Sequence, residues 1–335
     1  MSNKKILLAH GNGGSLMHRL IKELFLPKLN NPILKELSDS ATINYKERIA
    51  FTTDSFVVSP LKFNGGDIGK LAVCGTVNDL VMAAAVPEYL SLALIIEEGL
   101  DYGLLESIID SVSKAARLAC VKVVCGDFKV VEKGACDKIF ICTSGIGRVI
   151  ERRKLSLSRI EDGDKIIITG DIGRHGFAVF SGRGKIDAGF VIKSDCAALA
   201  DLIIPLVKRT NDIKFMRDPT RGGVATTLNE IAQGAGVGIG VEEKQIPVAK
   251  EVRAASELLG MDPLYMANEG RAILIVKSGS AKGILARIKK HPLGKNARII
   301  GSVTKQAKGR VILSTLLGTR RILDMLSGEH LPRIC

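Results

Sequence analysis

Three aspartates stand at positions where carboxylates could bind a metal ion. Asp54 closes the predicted strand AFTTDS, Asp79 follows Asn78 inside the otherwise apolar segment KLAVCGTVNDLVMAAAVP, and Asp127 ends the strand KVVCGD. A buried carboxylate without partners is costly, so Asp79 requires a hydrogen bond, a counter-charge or a metal. Mg²⁺ prefers such oxygens together with phosphate oxygens. Each aspartate alone is compatible with a structural role, but the three together predict a site for Mg²⁺ and phosphate.

Two glycine-rich segments could bind the phosphate. HGNGGS, residues 10–15, and RDPTRGG, residues 217–223, each stand directly before a predicted helix. Backbone N–H groups at a helix start attract anions and arginines bind phosphate, although a turn before an ordinary capped helix has the same sequence features. Neither segment matches GxGxxG or GxxxxGKS/T, so the familiar dinucleotide and P-loop folds are not supported. The candidate ligands are Asn12, Gly13, Gly14, Arg217, Asp218 and Arg221.

Two further residues could take part directly in a reaction. Glu269 in YMANEGR stands just before an apolar strand, a position that suits a general base and equally an ordinary turn. Cys335 ends the chain in HLPRIC, where a thiol is weakly constrained and open to oxidation. The other six of the seven cysteines lie in apolar or small-residue segments, where cysteine packs as a small hydrophobe. An odd cysteine count without a CxxC pair argues against a disulfide framework and a zinc or redox site.

Two folded domains must position these residues. Strands mixed with two long helices predict an α/β (α+β) domain over residues 1–150, and a polar, turn-rich stretch then marks a boundary. A second alternation predicts an α/β domain over residues 151–317. No core-forming pattern follows Gly318, so residues 318–335 are predicted to be a flexible tail. The predicted strands are a pair within 44–58 and single strands at 89–97, 122–125, 138–143, 165–169, 237–242, 271–276, 298–303 and 310–313, and the predicted helices include 67–85, 104–119, 195–208, 223–234, 249–259 and 281–290.

Composition and charge exclude several classes of protein. The chain has 335 residues, 46% hydrophobic and 25% charged, as in ordinary globular proteins. Its apolar runs are shorter than the ~20 residues of a membrane span, and no signal-peptide pattern opens it, so we expect a cytoplasmic protein with no membrane partner. A net charge of +13 suits an acidic ligand such as a nucleotide, or an acidic protein partner. Basic residues are spread along a chain without Trp, so no nucleic-acid partner is predicted.

Taken together, these segments resemble the aminoimidazole ribonucleotide synthetase (PurM-like) superfamily. Its members use ATP and have two α/β domains, and they dimerise through their N-terminal halves. Within it, the stretches HGNGG, TTDSFVVSPLKFNGGDIGKLAVCGTVNDL, EEGL, GDFKVVEKG, DPTRGG, MANEG and the terminal PRIC are similar to the HypE family of hydrogenase maturation proteins, the carbamoyl dehydratases. The resemblance implies a two-domain fold in which the mixed sheet of the first domain forms the interface of a homodimer.

The resemblance also implies a role for the terminal cysteine. In that family, the carbamoyltransferase HypF places a carbamoyl group on its sulfur, and ATP then drives dehydration of the thiocarbamate to a thiocyanate. The cyano group passes to iron held by the HypC–HypD complex and supplies cyanide ligands for [NiFe]-hydrogenase. Partners implied are therefore HypF, HypC–HypD and a second copy of the chain.

The family pattern carries residue roles onto this chain. Cys335 is the acceptor, Glu269 the favoured base, Asp79 a proton acceptor or metal ligand, and Lys129 a group that stabilises transferred charge. Mg²⁺ is expected on Asp54, Asp79 and Asp127. The expected ATP contacts are Asn12, Gly13, Gly14, Thr53, Asp54, Asn78, Asp127, Lys133, Arg217, Asp218 and Arg221.

One departure and two alternatives accompany this interpretation. The family pattern has threonine between Asp127 and Lys129, whereas this chain has Phe128, which puts any contact from that hydroxyl in doubt. An ATP-dependent small-molecule kinase or synthetase, such as thiamine-phosphate kinase or selenophosphate synthetase, would use the same acidic site without needing Cys335. A non-catalytic scaffold for hydrogenase assembly would use the basic surface and the tail for docking alone.

Overall fold

A four-stranded sheet and a seven-stranded sheet organise the two halves of the chain. The computed structural model describes residues 5–7, 10, 19–35, 45–150, 155–184, 191–326 and 333–335, so Asn12, Gly13 and Gly14 lie outside the described residues. The strands are β1 (Ile49–Phe56), β2 (Lys62–Phe63), β3 (Gly66–Asp67), β4 (Ala85–Glu97), β5 (Lys122–Val131), β6 (Ile139–Val149), β7 (Lys165–Ile168), β8 (Ile213–Arg217), β9 (Gly238–Glu242), β10 (Ile273–Val276), β11 (Arg298–Thr304), β12 (Val311–Ser314) and β13 (Arg320–Ile322). The helices are α1 (Leu26–Leu29), α2 (Pro32–Lys35), α3 (Ile68–Met82), α4 (Tyr102–Leu118), α5 (Arg174–Ser181), α6 (Ala200–Arg209), α7 (Gly223–Ala235), α8 (Lys250–Leu259) and α9 (Ala281–Ile288), with a π-helical turn at Ile21–Phe25.

The first sheet is mixed, in the order β1-β6-β4-β5. β4 and β5 run parallel and are joined by α4, while the other pairs are antiparallel. Helix α3 lies between the sheet and α4, and its apolar side chains are buried on nearly all sides. Asp67 starts this helix by accepting a hydrogen bond from the backbone N–H of Lys70 at 2.9 Å. The mixed sheet predicted for the first half is confirmed.

The sheet turns its second face away from these helices. Alternate residues of β1 point outward, and Phe51 is 66% exposed. Ile49 on the same strand and Ile95 on β4 are 46% and 40% exposed on that face. Contiguous exposed apolar side chains mark interaction surfaces, and we call this side of the sheet the outer face.

The second sheet has the order β13-β12-β9-β11-β7-β10-β8 and is mainly antiparallel, with β12 and β9 parallel. Its fully buried isoleucines and valines pack against α7, whose apolar side is buried under them. This mixed α/β architecture agrees with the predicted fold class. None of the helices in the described ranges is long and apolar enough to cross a membrane.

Two predictions about the chain's path are wrong. The region predicted as two strands within 44–58 forms the single strand β1. The segment directly after Gly318 is part of the folded domain and not a tail, because β13 pairs antiparallel with β12 and Leu323 is fully buried. An edge strand needs only backbone pairing, and the exposed arginines of β13 hide it from a search for apolar periodicity. The domain limits at 150 and 317 stay a prediction.

Candidate active site

A pair of aspartates lies where β1 meets α3. Asp54 is on the inner side of β1, and its carboxyl interacts electrostatically with that of Asp79 near the end of the helix. The Thr52 hydroxyl donates to Asp79 Oδ2 at 2.7 Å. Burial raises the pKa of both carboxyls, that of Asp54 to about 6 with a further contribution from the charge of Asp79. The pair therefore concentrates negative charge that a cation would relieve.

The DPTRGG segment of the second domain faces this pair. Gly222 and Gly223 have left-handed φ values of 73° and 61°, and a Cβ at position 223 would lie 2.5 Å from the Leu264 carbonyl oxygen. The segment can therefore turn directly into α7 only with glycine at these positions. Burial raises the pKa of Asp218 to about 7, and the charges of Asp79 and Asp54 add to the rise.

Two arginines of the same segment carry compensating charge. The charges of Arg217 and Arg221 lower the pKa of Asp79, so both lie close to the acidic pair. Arg217 also forms an ion pair with Glu230 on α7 at 3.1 Å. Arginines beside carboxylates suit recognition of phosphate oxygens together with a cation.

Glu269 lies buried behind these groups, with only 3% of its surface exposed. Its pKa is raised well above the usual range, chiefly by burial and then by the charges of Asp218 and Asp195. Within the described part of the chain its Oε1 atom has no hydrogen-bond partner. The following Gly270 allows this position, because a Cβ there would lie 2.0 Å from the Asp195 carbonyl oxygen. A buried carboxyl with a free oxygen and high proton affinity is suited to proton transfer.

Asn78, predicted as an ATP contact, has its side chain hydrogen-bonded within the protein, and its contact with ATP stays a prediction. Its Nδ2 donates to the carbonyls of Ala197 at 3.1 Å and Glu269 at 3.3 Å, and its Oδ1 accepts from Leu199 N at 2.8 Å. Both amide hydrogens are thus used within the protein. Asn78 therefore joins α3 to the second domain and fixes the backbone of Glu269.

Asp127 is not brought to Asp54 and Asp79 within one chain. Two strands separate β5 from β1, which corresponds to about 14 Å at the usual strand spacing. Asp127 and Lys129 lie exposed on the outer face and form an ion pair at 2.7 Å. In the described residues no group of three or more His, Cys, Asp or Glu side chains could hold a metal ion. The three-aspartate metal site stays a prediction that one chain alone does not assemble, because strand order cannot be inferred from strand sequences.

The remaining predicted residues near β5 and β1 are also placed away from the acidic pair. Lys133 is exposed in the turn between β5 and β6. Thr53 points to the face of β1 opposite Asp54 and donates to the Thr143 carbonyl at 3.1 Å. Phe128 is 4% exposed and stacks on Phe25 with ring centroids 5.4 Å apart, so it packs in the core rather than on the outer face.

The last three residues of the chain are docked at this site. Val57 N donates to a Cys335 carboxylate oxygen and Ser59 N to the Arg333 carbonyl, both at 3.1 Å, and Arg333 Nε donates to Val57 O at 2.8 Å. Ile334 is buried in a core cluster that contains side chains of both halves of the chain. Burial raises the pKa of the Cys335 thiol to about 12; the charge of Glu269 adds to the rise and that of Arg221 opposes it. The terminal thiol is therefore neutral, part-buried and close to Glu269 and Arg221.

The sequence pattern missed the residues that receive the tail. His175 and Arg183 bind its carbonyls, and Asp137 forms an ion pair with Arg333 at 2.6 Å. Nothing in their local sequence distinguishes them from ordinary polar residues. All seven cysteines are free, and Cys335 is a part-buried one whose pKa the charges of both Glu269 and Asp54 raise.

The fold and site define the class of protein. Residues 37–149 match the AIR synthase related protein N-terminal domain, and residues 161–314 match the corresponding C-terminal domain. The chain therefore has the two domains of AIR synthase related proteins, and each domain contains one of the two large sheets.

Relatives of known structure and name narrow the class to one family. The carbamoyl dehydratase HypE of Rhodobacter capsulatus is 44% identical over 100% of this chain and 99% of its own. A crystal structure of HypE in complex with ATP superposes with a TM-score of 0.95 at 46% identity, covering 98% of this chain and 99% of that one. HypE from a HypE–HypF complex gives a TM-score of 0.81 at 46% identity over 92% and 99%. The chain belongs to the HypE family of carbamoyl dehydratases.

Proposed function

We propose that this chain uses ATP to dehydrate an S-carbamoyl group on its own Cys335 to an S-cyano group, which supplies cyanide for the iron of [NiFe]-hydrogenase. The observation that carries the proposal is the docked terminal thiol, which lies beside a buried carboxyl with an unpartnered oxygen. A kinase acting on a free small molecule gives no reason for this placement of its own C-terminus. ATP is a substrate of the proposed reaction, and a HypE relative was crystallised with it.

The chemistry needs a leaving group, because a carbamoyl oxygen does not depart as oxide. Transfer of the γ-phosphoryl group to that oxygen forms an O–P bond and releases ADP, while Glu269 takes one amide proton. The second amide proton passes to the departing phosphate, and the C≡N bond forms as the C–O bond breaks. The carbon stays attached to sulfur throughout. Glu269 is suited to hold the proton, because burial raises its pKa.

The acidic pair and the arginines fit a nucleotide with Mg²⁺. Asp54 and Asp79 offer hard oxygen ligands in a part-buried position, and Arg217 and Arg221 lie next to them. We propose that the two aspartates hold Mg²⁺ and that the arginines orient the phosphates, while Asp218, whose pKa is raised to about 7 by burial, contacts them as a neutral hydrogen-bond donor. The ion would neutralise phosphate charge during transfer.

We propose that the outer face forms a homodimer and that Asp127 and Lys129 serve the site of the partner subunit. They share the outer face with the exposed Phe51 and lie about three strand spacings from Asp54. Within one chain they are too far from Asp54 to reach the same phosphates, whereas a second copy packed on this face would bring its own pair next to β1, the edge strand that carries Asp54. Asp127 would then contribute to metal binding, and Lys129 to charge stabilisation, in the active site of the partner subunit.

We propose that a HypF carbamoylates the tail while it is away from the site. A HypE relative was crystallised with HypF. The docked thiol is neutral and part-buried, and the thiolate is the nucleophilic form, so a docked Cys335 cannot accept the carbamoyl group efficiently. The tail must then dock for dehydration and depart again to deliver the cyano group, for which we propose a HypC–HypD complex as receiver. All of these steps are expected in the cytoplasm.

Intact-mass analysis with C-terminal peptide mapping tests the function. The protein is incubated with an active HypF, carbamoyl phosphate and Mg²⁺–ATP. We expect one carbamoyl group on Cys335 and then ATP-dependent loss of one water. Cys335→Ala should show neither change and Cys120→Ala, which removes an exposed cysteine outside the site, should show both. An unmodified tail beside a demonstrably active HypF would favour a small-molecule kinase or a scaffold instead.

A further inference from the structure

The imidazole of His175 is hydrogen-bonded to the tail one residue before the terminal cysteine. The ring is fully buried, with Nε2 2.8 Å from the Ile334 carbonyl oxygen and Nδ1 2.9 Å from Ser194 Oγ. A carbonyl only accepts, so Nε2 carries the proton and Nδ1 accepts from the Ser194 hydroxyl. The Ser194 oxygen in turn accepts from Cys196 N at 3.0 Å. Only one assignment of the hydrogen positions therefore gives each of these three hydrogen bonds one donor and one acceptor.

The ring is also held from the side. Phe63 packs edge-on against it, with centroids 5.2 Å apart and an angle of 89° between the planes. An imidazole fixed by an aromatic neighbour and by Ser194 presents its donor in one orientation. Preorganised donors lose little entropy when their acceptor arrives.

Ser194 begins a segment that also supports the base. Asp195 Oδ2 accepts from Gly270 N at 3.0 Å, and Ala197 N donates to the Glu269 carbonyl at 3.3 Å. The group that fixes the His175 ring and the groups that fix Glu269 thus lie within four residues of one another. A tail bonded to His175 is therefore placed relative to the same backbone as the carboxyl that must reach its carbamoyl group.

A buried histidine with two hydrogen bonds is ordinarily a core residue. His175 differs because one of its partners belongs to a segment that must leave the site to be carbamoylated. We infer that His175 and Ser194 are positioning residues that hold the tail and align the Cys335 sulfur with Glu269. This inference rests on the proposed function.

Alkylation and single-turnover dehydration test the inference in the full-length protein. Loss of one hydrogen bond should speed iodoacetamide labelling of Cys335, followed by peptide mapping, by about five- to tenfold in His175→Ala and in Ser194→Ala. Dehydration of the carbamoylated protein should slow by a similar factor, whereas carbamoylation by HypF should not slow. His175→Gln retains an amide donor and should recover part of the protection.

His291→Ala is the matched control, because this histidine bonds Asp201 at 3.1 Å away from the tail. It should label and dehydrate as the unmodified chain does. Wild-type labelling and dehydration rates in both Ser194→Ala and a folded His175→Ala would overturn the inference, as would faster labelling with unchanged dehydration. If His175→Ala does not fold, Ser194→Ala decides. If the unmodified chain is carbamoylated but never dehydrated, the proposed function fails, while the labelling rates still decide whether His175 holds the tail.

Discussion

Replacing Asn78 with alanine removes three hydrogen bonds between α3 and the second domain. The lost bonds are those to Ala197 O, Glu269 O and Leu199 N. At about 1 kcal/mol net per bond the free energy of unfolding should fall by ~3 kcal/mol. For domains of this size that corresponds to a melting temperature lower by about 6–12 °C. Because Asn78 fixes the backbone of Glu269, the single-turnover dehydration rate should also fall while the KM for ATP stays unchanged.

Thermal unfolding and ATP-dependent kinetics of the carbamoylated protein measure both effects. Asn64→Ala is the matched control, since Asn64 donates a single bond to the second domain, to Ile192 O at 3.0 Å. It should lower stability by about 1 kcal/mol. An Asn78→Ala protein that melts within about 2 °C of the unmodified chain but needs far more ATP to reach half its maximal rate would refute the structural role. That result would support Asn78 as a nucleotide contact.

Three further outcomes are expected. The dehydration rate should decline as pH falls through the raised pKa of Glu269, since the base must be ionised. The rate in Glu269→Gln should be lower by at least ~100-fold at every pH. A rate in the unmodified chain that declines only near pH 4 would exclude Glu269 as the base. Mixed dimers of Asp54→Asn and Asp127→Asn should regain about one quarter of full activity after subunit exchange, because half the dimers contain one intact site; no recovery would place both residues in one chain's site. Phe51→Asp should give a monomer by light scattering and Leu118→Asp, exposed on α4, should not; a dimeric Phe51→Asp protein would move the interface elsewhere.

Sequence reasoning located the residues that break an apolar pattern. Asp54, Asp79 and Glu269 each interrupt or end a buried element, and such interruptions are visible along the chain. The partners of Asn78 are not visible in this way, because they lie 119 and 191 residues away and depend on how the domains pack. Strand order was equally hidden, since β5 and β1 have suitable sequences for either edge or centre. The placement of Asp127 therefore required the structure.

Long helices were predicted from the sequence more accurately than short strands. Helix α3 is long and apolar and helix α4 is long and amphipathic, so their positions follow from sequence within a few residues. β8 lacks regular alternation and was missed, although its end delivers Arg217 to the site. Short strands are defined by their neighbours more than by their own residues.

The docked residues 333–335 are recognised through their backbone carbonyls, the terminal carboxylate and the Arg333 guanidinium, and in the described residues no hydrogen bond reaches the Cys335 sulfur. Thiol, thiocarbamate and thiocyanate forms therefore present the same docking groups. Because the acceptor is covalently attached, dehydration is intramolecular, and its rate does not change on dilution as long as the proposed dimer stays intact. ATP is the one substrate with a saturation curve in that step. Each chain carries one group at a time. The rate of cyanide supply therefore depends on the number of chains and on how fast carbamoyl and cyano groups are exchanged with partner proteins.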